Sequence, residues 1–116
     1  MRPIKSEVSW SDFRKLDIRV GSVEQAEAFL EASNPAIKLW INFGSEIGVM
    51  KSSAQITDRY LPEDLVGTQI LAVVNFPPKQ IGPFMSECLV LGAIQEDGSA
   101  VLLNVKSTVT NGSPVG

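Results

Sequence analysis

Five or so strand-length runs, a short helical turn between the third and the fourth, and a glycine where the first strand loses its alternation predict an all-β chain curled into a small barrel. Five strands with that helix placement fit an OB-type barrel better than a sandwich. At 116 residues the chain has material for one core and not two, so residues 1–116 are read as a single domain.

Taken in order, Ser9-Trp10-Ser11-Asp12 opens a short helix, with Ser9 as N-cap and Asp12 at the capping-box position. Trp10, Phe13 and Leu16 recur at i, i+3 and i+6, so one face of this helix is expected to pack down. Leu16, Ile18 and Val20 then alternate as a strand whose phase breaks at Gly21, which predicts a bulge or a sharp bend there. Ile37, Leu39, Ile41 and Phe43 alternate with Lys38, Trp40 and Asn42, the pattern of a half-buried strand. Gly44 to Gly48 closes a hairpin into a return strand over Val49 to Ile56, which carries Lys51, Ser52, Ser53 and Gln55.

Asp58 to Gly67 reads as one or two helical turns, with Pro62 near the first position, acids after it and Gly67 as the stop. The unbroken apolar run Ile70 to Val74 predicts a strand covered on both faces, and Cys88 to Ile94 predicts another. Asp97-Gly98 turns tightly into Val101 to Val105. The tail from Thr108 to Gly116 holds β-forming residues but is too short to build a core. With the N-terminal arm it exceeds what a five-stranded barrel needs to cover itself. Since open edges are normally paired, the two extensions predict a homodimer with Trp10, Phe13 and residues 100–116 near its interface.

Composition narrows the function. There is no histidine, so the commonest general base and the commonest catalytic metal ligand are missing. Glu63-Asp64 and Glu96-Asp97 are carboxylate pairs, but both sit in turn contexts that suit solvated caps. No phosphate-binding glycine loop or nucleophile elbow is present, and nothing implies a catalytic residue, a metal or a cofactor. The single Cys88 lies in an apolar run and reads as a small buried hydrophobe. With no membrane-length apolar run and no signal-peptide core, the chain reads as cytoplasmic and without a membrane partner. A binding protein is the expectation.

A net charge of −3 argues against indiscriminate nucleic-acid binding. The charges are uneven, however: Glu24, Glu27 and Glu31 form an acidic stretch, while Lys38, Lys51 and Lys79 fall in separate segments. A barrel could gather those lysines on one face, or they could be three unrelated solvated cations. Trp40, on the polar face of its strand, either packs under a loop or belongs to a contact surface.

The segment between the two buried runs, Asn75-Phe76-Pro77-Pro78-Lys79-Gln80-Ile81-Gly82-Pro83-Phe84-Met85-Ser86-Glu87, is longer than a hairpin requires. It is stiff, apolar and cationic, and such a loop on a rigid scaffold is a candidate recognition element. Phe76, directly after a buried strand, is expected to plug the core, and Phe84 to line an open groove.

These segments resemble a known family. Phe13-x-x-Leu16-Asp17-Ile18-Arg19-Val20-Gly21, Lys38-Leu39, Lys51 to Thr57, Tyr60-x-Pro62-Glu63-Asp64-Leu65-x-Gly67 and the run Val73 to Gly92 are similar to the tRNA-binding OB domain, in its small stand-alone CsaA branch. Wider relatives include the C-terminal domain of methionyl-tRNA synthetases. The resemblance implies a homodimer, tRNA or other structured RNA as partner, and a secretion-related chaperone role toward unfolded or export-bound polypeptides.

In the tRNA-binding relatives an Asn-x-x-Pro-basic-basic signature is followed by a third basic residue and a serine. Here Asn75, Pro78, Lys79 and Ser86 match it, while Gln80 and Gly82 stand at the other two basic positions. Fewer cations mean weaker phosphate contact. The implied RNA contacts are Lys38, Lys51 and Lys79 on phosphates, with Ser53, Asn75 and Ser86 setting register. Trp40, Phe76, Phe84 and Met85 form the candidate peptide groove; peptide binding without significant RNA binding is the alternative.

Overall fold

The computed structural model of the chain describes residues 2–116. Its order is α1 (Trp10–Arg14), β1 (Ile18–Ala28), β2 (Ile37–Asn42), β3 (Val49–Ala54), α2 (Pro62–Leu65), β4 (Gln69–Val73), β5 (Lys79–Ile81), β6 (Phe84–Ser86), β7 (Leu89–Val90), β8 (Gly92–Ile94) and β9 (Ala100–Leu102). Five strands form one antiparallel sheet in the order β3-β2-β1-β4-β7. The sheet curls until its edges nearly meet. The Glu87 N–H donates to the Lys51 carbonyl at 2.8 Å, and the buried Ser52 hydroxyl donates to the Cys88 carbonyl at 2.9 Å. The result is the expected OB-like barrel of five strands with few, short helices.

The barrel follows from β2. Ile37, Leu39 and Ile41 point inward and are fully buried, while Lys38, Trp40 and Asn42 alternate outward. Phe43, Val23, Ile70, Ala72 and Leu65 complete the core with Cys88. Burial pushes the Cys88 thiol up to about 12, so it is a packed hydrophobe and not a nucleophile at neutral pH.

Three local expectations about the strands need correction, and the tail makes a contact the sequence did not predict. The strand starting near Ile18 does not break at Gly21. It pairs Gly21 with Ile70 and continues to Ala28, and its bulge falls between Val23 and Gln25. Gly21 is required by closeness instead, since a Cβ there would lie 2.7 Å from both Ile41 and Phe43 side-chain atoms. The run from Cys88 to Ile94 is two strands: β7 pairs with β4, then the chain changes partner and β8 pairs with β9. Its outer face is not covered, and Leu89 and Ile94 are each about half exposed. The stiff segment after Asn75 is not an irregular loop, because β5 and β6 pair around Gly82-Pro83, with Gly82 at φ +54°. Finally, the tail folds back on its own barrel. Val20 N–H bonds the Ser113 carbonyl, Val115 N–H bonds the Ile18 carbonyl, and Arg19 pairs with Asp17 while donating to the Gly112 carbonyl at 3.0 Å.

The helix ends match their sequence signals, but the face of α1 expected to pack down stays open, because the helix is a single turn outside the barrel with Trp10 exposed and no buried residue. Ser9 and Asp12 make the reciprocal capping box, and α2 starts with Pro62, carries Glu63 and Asp64 in its first turn and is followed by Gly67 at φ +89°. Asp97 accepts from both the N–H and the hydroxyl of Ser99, as a turn cap does. No helix is long and apolar enough to cross a membrane among the described residues.

Candidate nucleic-acid interface

The outward face of the β2–β3 hairpin sets the site. Antiparallel register places Lys38 beside Ser53 and Trp40 beside Lys51. Two cations, an indole and a hydroxyl therefore share one pleat face. The β5–β6 hairpin folds onto this face and is tied there by the Ser53 N–H, which donates to the Ser86 hydroxyl at 3.0 Å. Lys79 lies opposite Ser86 across the small hairpin and remains exposed.

Phe84 is the pin under that hairpin. Its ring meets Phe29 edge-on at 5.4 Å and Trp40 edge-on at 5.9 Å between centroids. With Phe29 and Ala36 it forms a second buried cluster, against which Trp40 and Ile81 pack. Lysine ammoniums ring the aromatics: Lys38 Nζ stands 4.8 Å from the Phe29 centroid, and Lys51 Nζ stands 5.2 Å from that of Phe84.

The expected groove thus changes membership. Phe84 is 6% exposed and plugs the structure, whereas Phe76 is 45% exposed. Strand alternation explains the exchange: Phe84 and Ser86 point toward the barrel and Met85 points away, while Phe76 precedes two prolines at the edge of the sheet. Trp40 is half-buried under the hairpin, so it packs under a covering segment and does not stand free. Asn75 is also committed internally. Its Oδ1 accepts from the Asp17 N–H at 2.9 Å and its Nδ2 donates to the Lys15 carbonyl at 2.7 Å. It anchors the base of the hairpin, and because the residue is exposed with one hydrogen bond on each amide atom, a second N–H and a second lone pair stay open to solvent.

The described ion pairs engage Lys15, Arg19 and Lys38; Lys51 and Lys79 are in none of them. Beside the face runs a cleft of about 610 Å³, walled by Phe76, Leu89, Ile94 and Leu102, with Lys79 and Ser86 also in its lining. Glu87, at the end of the hairpin, accepts from the Lys51 N–H through its carboxylate at 2.9 Å and helps close the barrel.

Residues 18–114 match the family model described as "Putative tRNA binding domain". The chain belongs to this tRNA-binding domain family. Among solved structures it is similar to chaperone CsaA from Bacillus anthracis, at 52% identity and a TM-score of 0.91 over 96% of this chain and 100% of that one. It is also similar to the CsaA chaperone protein from Picrophilus torridus, at 48% identity and a TM-score of 0.88 over 95% of this chain and 100% of that one. The methionine–tRNA ligase of Archaeoglobus fulgidus is 38% identical over 111 residues, which is 96% of this chain but 16% of that enzyme. The ligase of Porphyromonas gingivalis is 34% identical over 113 residues, again covering 16% of its length. The tRNA-binding domain therefore corresponds to a small part of those ligases.

Within this tRNA-binding domain, the sequence left open whether Lys38, Lys51 and Lys79 share a face; the β2–β3 register sets Lys38 beside Ser53, the β5–β6 register sets Lys79 beside Ser86, and the Ser53–Ser86 bond joins the two hairpins. The sequence signals missed Phe29, whose ring supports Lys38 from the long β1–β2 connection, and they missed the carboxylates that meet Lys38. Neither is legible without knowing which residue of β1 faces which residue of β2.

Proposed function

We propose that the chain is a homodimeric tRNA-binding protein of the CsaA type, holding structured RNA on the β2–β3 face and the β5–β6 hairpin. One observation carries this reading: Lys51 and Lys79, the lysines of this face without a described carboxylate partner, sit on two hairpins joined by the Ser53–Ser86 bond. Two rigid hairpins can present two ammoniums to neighbouring phosphates, and phosphate contacts fix position and orientation. With few contacts per subunit the affinity is modest, and log K falls with log salt by about 0.7–0.9 per neutralised phosphate. Lys79→Ala should weaken binding of different RNA sequences alike and flatten that slope by about one contact per subunit. Unchanged affinity and slope in this variant would mean the face is misassigned.

A chaperone activity toward unfolded or export-bound polypeptide is a second reading, favoured by the apolar cleft with half-exposed Phe76 at its edge. Because Lys79 and Ser86 line both the cleft and the RNA face, bound polypeptide should displace RNA that co-purifies with the protein. Phe76→Ser should weaken suppression of client aggregation while leaving the melting temperature nearly unchanged. Full suppression by that variant argues against the cleft.

A further inference from the structure

Glu27 and Glu31 surround one lysine of the face and leave the other two alone. Lys38 Nζ lies 4.0 Å from Glu27 Oε1 and 3.9 Å from Glu31 Oε1, and its side chain is only 16% exposed. Below it are the rings of Phe29 and Phe84, at 4.8 and 5.5 Å. The ammonium is thus enclosed by aromatic faces and two carboxylates.

The fold makes this arrangement through the bulge in β1. Val23 pairs with Ile41 inside the barrel, but the extra residue at Glu24 shifts the register, so that Gln25 pairs with Trp40 and Glu27 with Lys38. Ala26 then takes the inward position beside the core, and Glu27 turns outward against the lysine. Glu31 is held nearby because the connection is pinned by buried Phe29, whose N–H bonds the Ala36 carbonyl at 3.0 Å. The hairpin turn at Gly82 packs on the same connection, where a Cβ would stand 3.7 Å from the Glu31 carbonyl oxygen.

We propose that Glu27 and Glu31 form a carboxylate gate that withholds Lys38 from RNA phosphate and so restricts the interface to Lys51 and Lys79. The proposal rests on the RNA-binding reading above. Two carboxylates stand against the one ammonium of Lys38, with Lys51 over the same Phe84 ring but in no described ion pair, so a phosphate that approaches Lys38 itself meets two like charges. Contact would require displacing both carboxylates and lifting the ammonium off the rings. Lys51 Nζ stands over the Phe84 ring and Lys79 is exposed; the Glu87 carboxylate is bonded to the Lys51 backbone N–H, and neither ammonium is in a described ion pair. The gate therefore determines how many phosphates the face accepts, and a ligand must match the two open cations.

The test is a double-mutant cycle on the full chain with bulk tRNA, reading Kd across a salt series. Lys38→Met retains the apolar stem on Phe29 and Phe84 while removing the charge. Glu27→Gln with Glu31→Gln should tighten binding on the order of fivefold near 0.1 M salt and steepen the salt slope by about 0.7–0.9. Adding Lys38→Met should then remove most of that gain and the extra slope, although the same change in the wild type weakens binding by no more than about twofold. Equal losses from Lys38→Met in both backgrounds would mean that the carboxylates act only through their general field, and would overturn the gate. Wild-type binding that weakens on Lys79→Ala but gains nothing from the glutamines would overturn the gate alone. No tRNA binding by any variant, even at low salt, would overturn both the gate and the RNA reading.

Discussion

Phe76 and Phe84 show how little a residue's type says about its place. Both stand in the same Pro-flanked segment, yet Phe84 contacts Phe29, Trp40 and two lysine ammoniums, while Phe76 opens onto the cleft. Truncating a buried aromatic removes its transfer free energy and leaves a cavity. Phe84→Ser should therefore destabilise the domain by about 3–5 kcal/mol, and Phe76→Ser by less than about 1 kcal/mol. Denaturant unfolding of the two variants checks the ordering, and equal losses would contradict the placement of Phe84 as the pin. Because Phe84 holds the hairpin that carries Lys79 and Ser86, its loss should also weaken any ligand bound there. A binding defect in Phe84→Ser is thus not proof of contact.

Among the elements, the β8–β9 hairpin is secured by a short polar chain. Arg59 Nε donates to the Ser99 hydroxyl at 2.8 Å, and that hydroxyl donates to Asp97 Oδ1 at 2.6 Å. Hydrogen bonds from the Ser99 hydroxyl first, then from its N–H, hold the Asp97 carboxyl below its ordinary 3.8. A depressed carboxyl stabilises the fold above the unfolded value, and that contribution is lost as pH falls through the folded value. Ser99→Ala should raise the Asp97 pKa toward 3.8, followed by carboxyl carbon NMR titration, and should loosen the hairpin at neutral pH. An unmoved titration would show that the hydroxyl is not the holding group.

The tail is locked by shape at Gly112, which sits at φ +90° with the Phe43 carbonyl where a Cβ would go. Gly112→Ala combines backbone strain with a collision. Where an ordinary Gly→Ala exchange stabilises by about 0.4–1 kcal/mol, this one should destabilise by more than about 1 kcal/mol, measured by thermal unfolding.

At the scale of the whole molecule, the barrel covers its core but not its periphery. Trp10 is 81% exposed, α1 has no buried residue, and Phe13, Leu16, Leu89 and Ile94 are also open. Exposed apolar surface of this kind usually marks an interface. We predict that a second copy covers it, although the tail is already engaged with its own β1. Sedimentation should give about twice the 12.6 kDa of one chain at micromolar concentration. Trp10→Ser should shift it toward the monomer, and a wild type that sediments only as 12.6 kDa would exclude the dimer.

The alternation in β2, the capping box of α1 and the Pro62 and Gly67 punctuation of α2 were legible because each rests on neighbouring residues and a fixed period. The charged face was half legible: Lys38, Lys51 and Lys79 stood out as cations, but not the state of each. What only the tertiary structure decided depends on contacts across long separations. The bulge at Glu24 turned Glu27 against Lys38, the Ser53–Ser86 bond brought the hairpins together, and Asn75 was tied to the backbone of Lys15 and Asp17 at the surface. Local sequence prescribes the pitch of each strand, but the register of one strand against another, which a single bulge can invert, is set by packing the whole barrel.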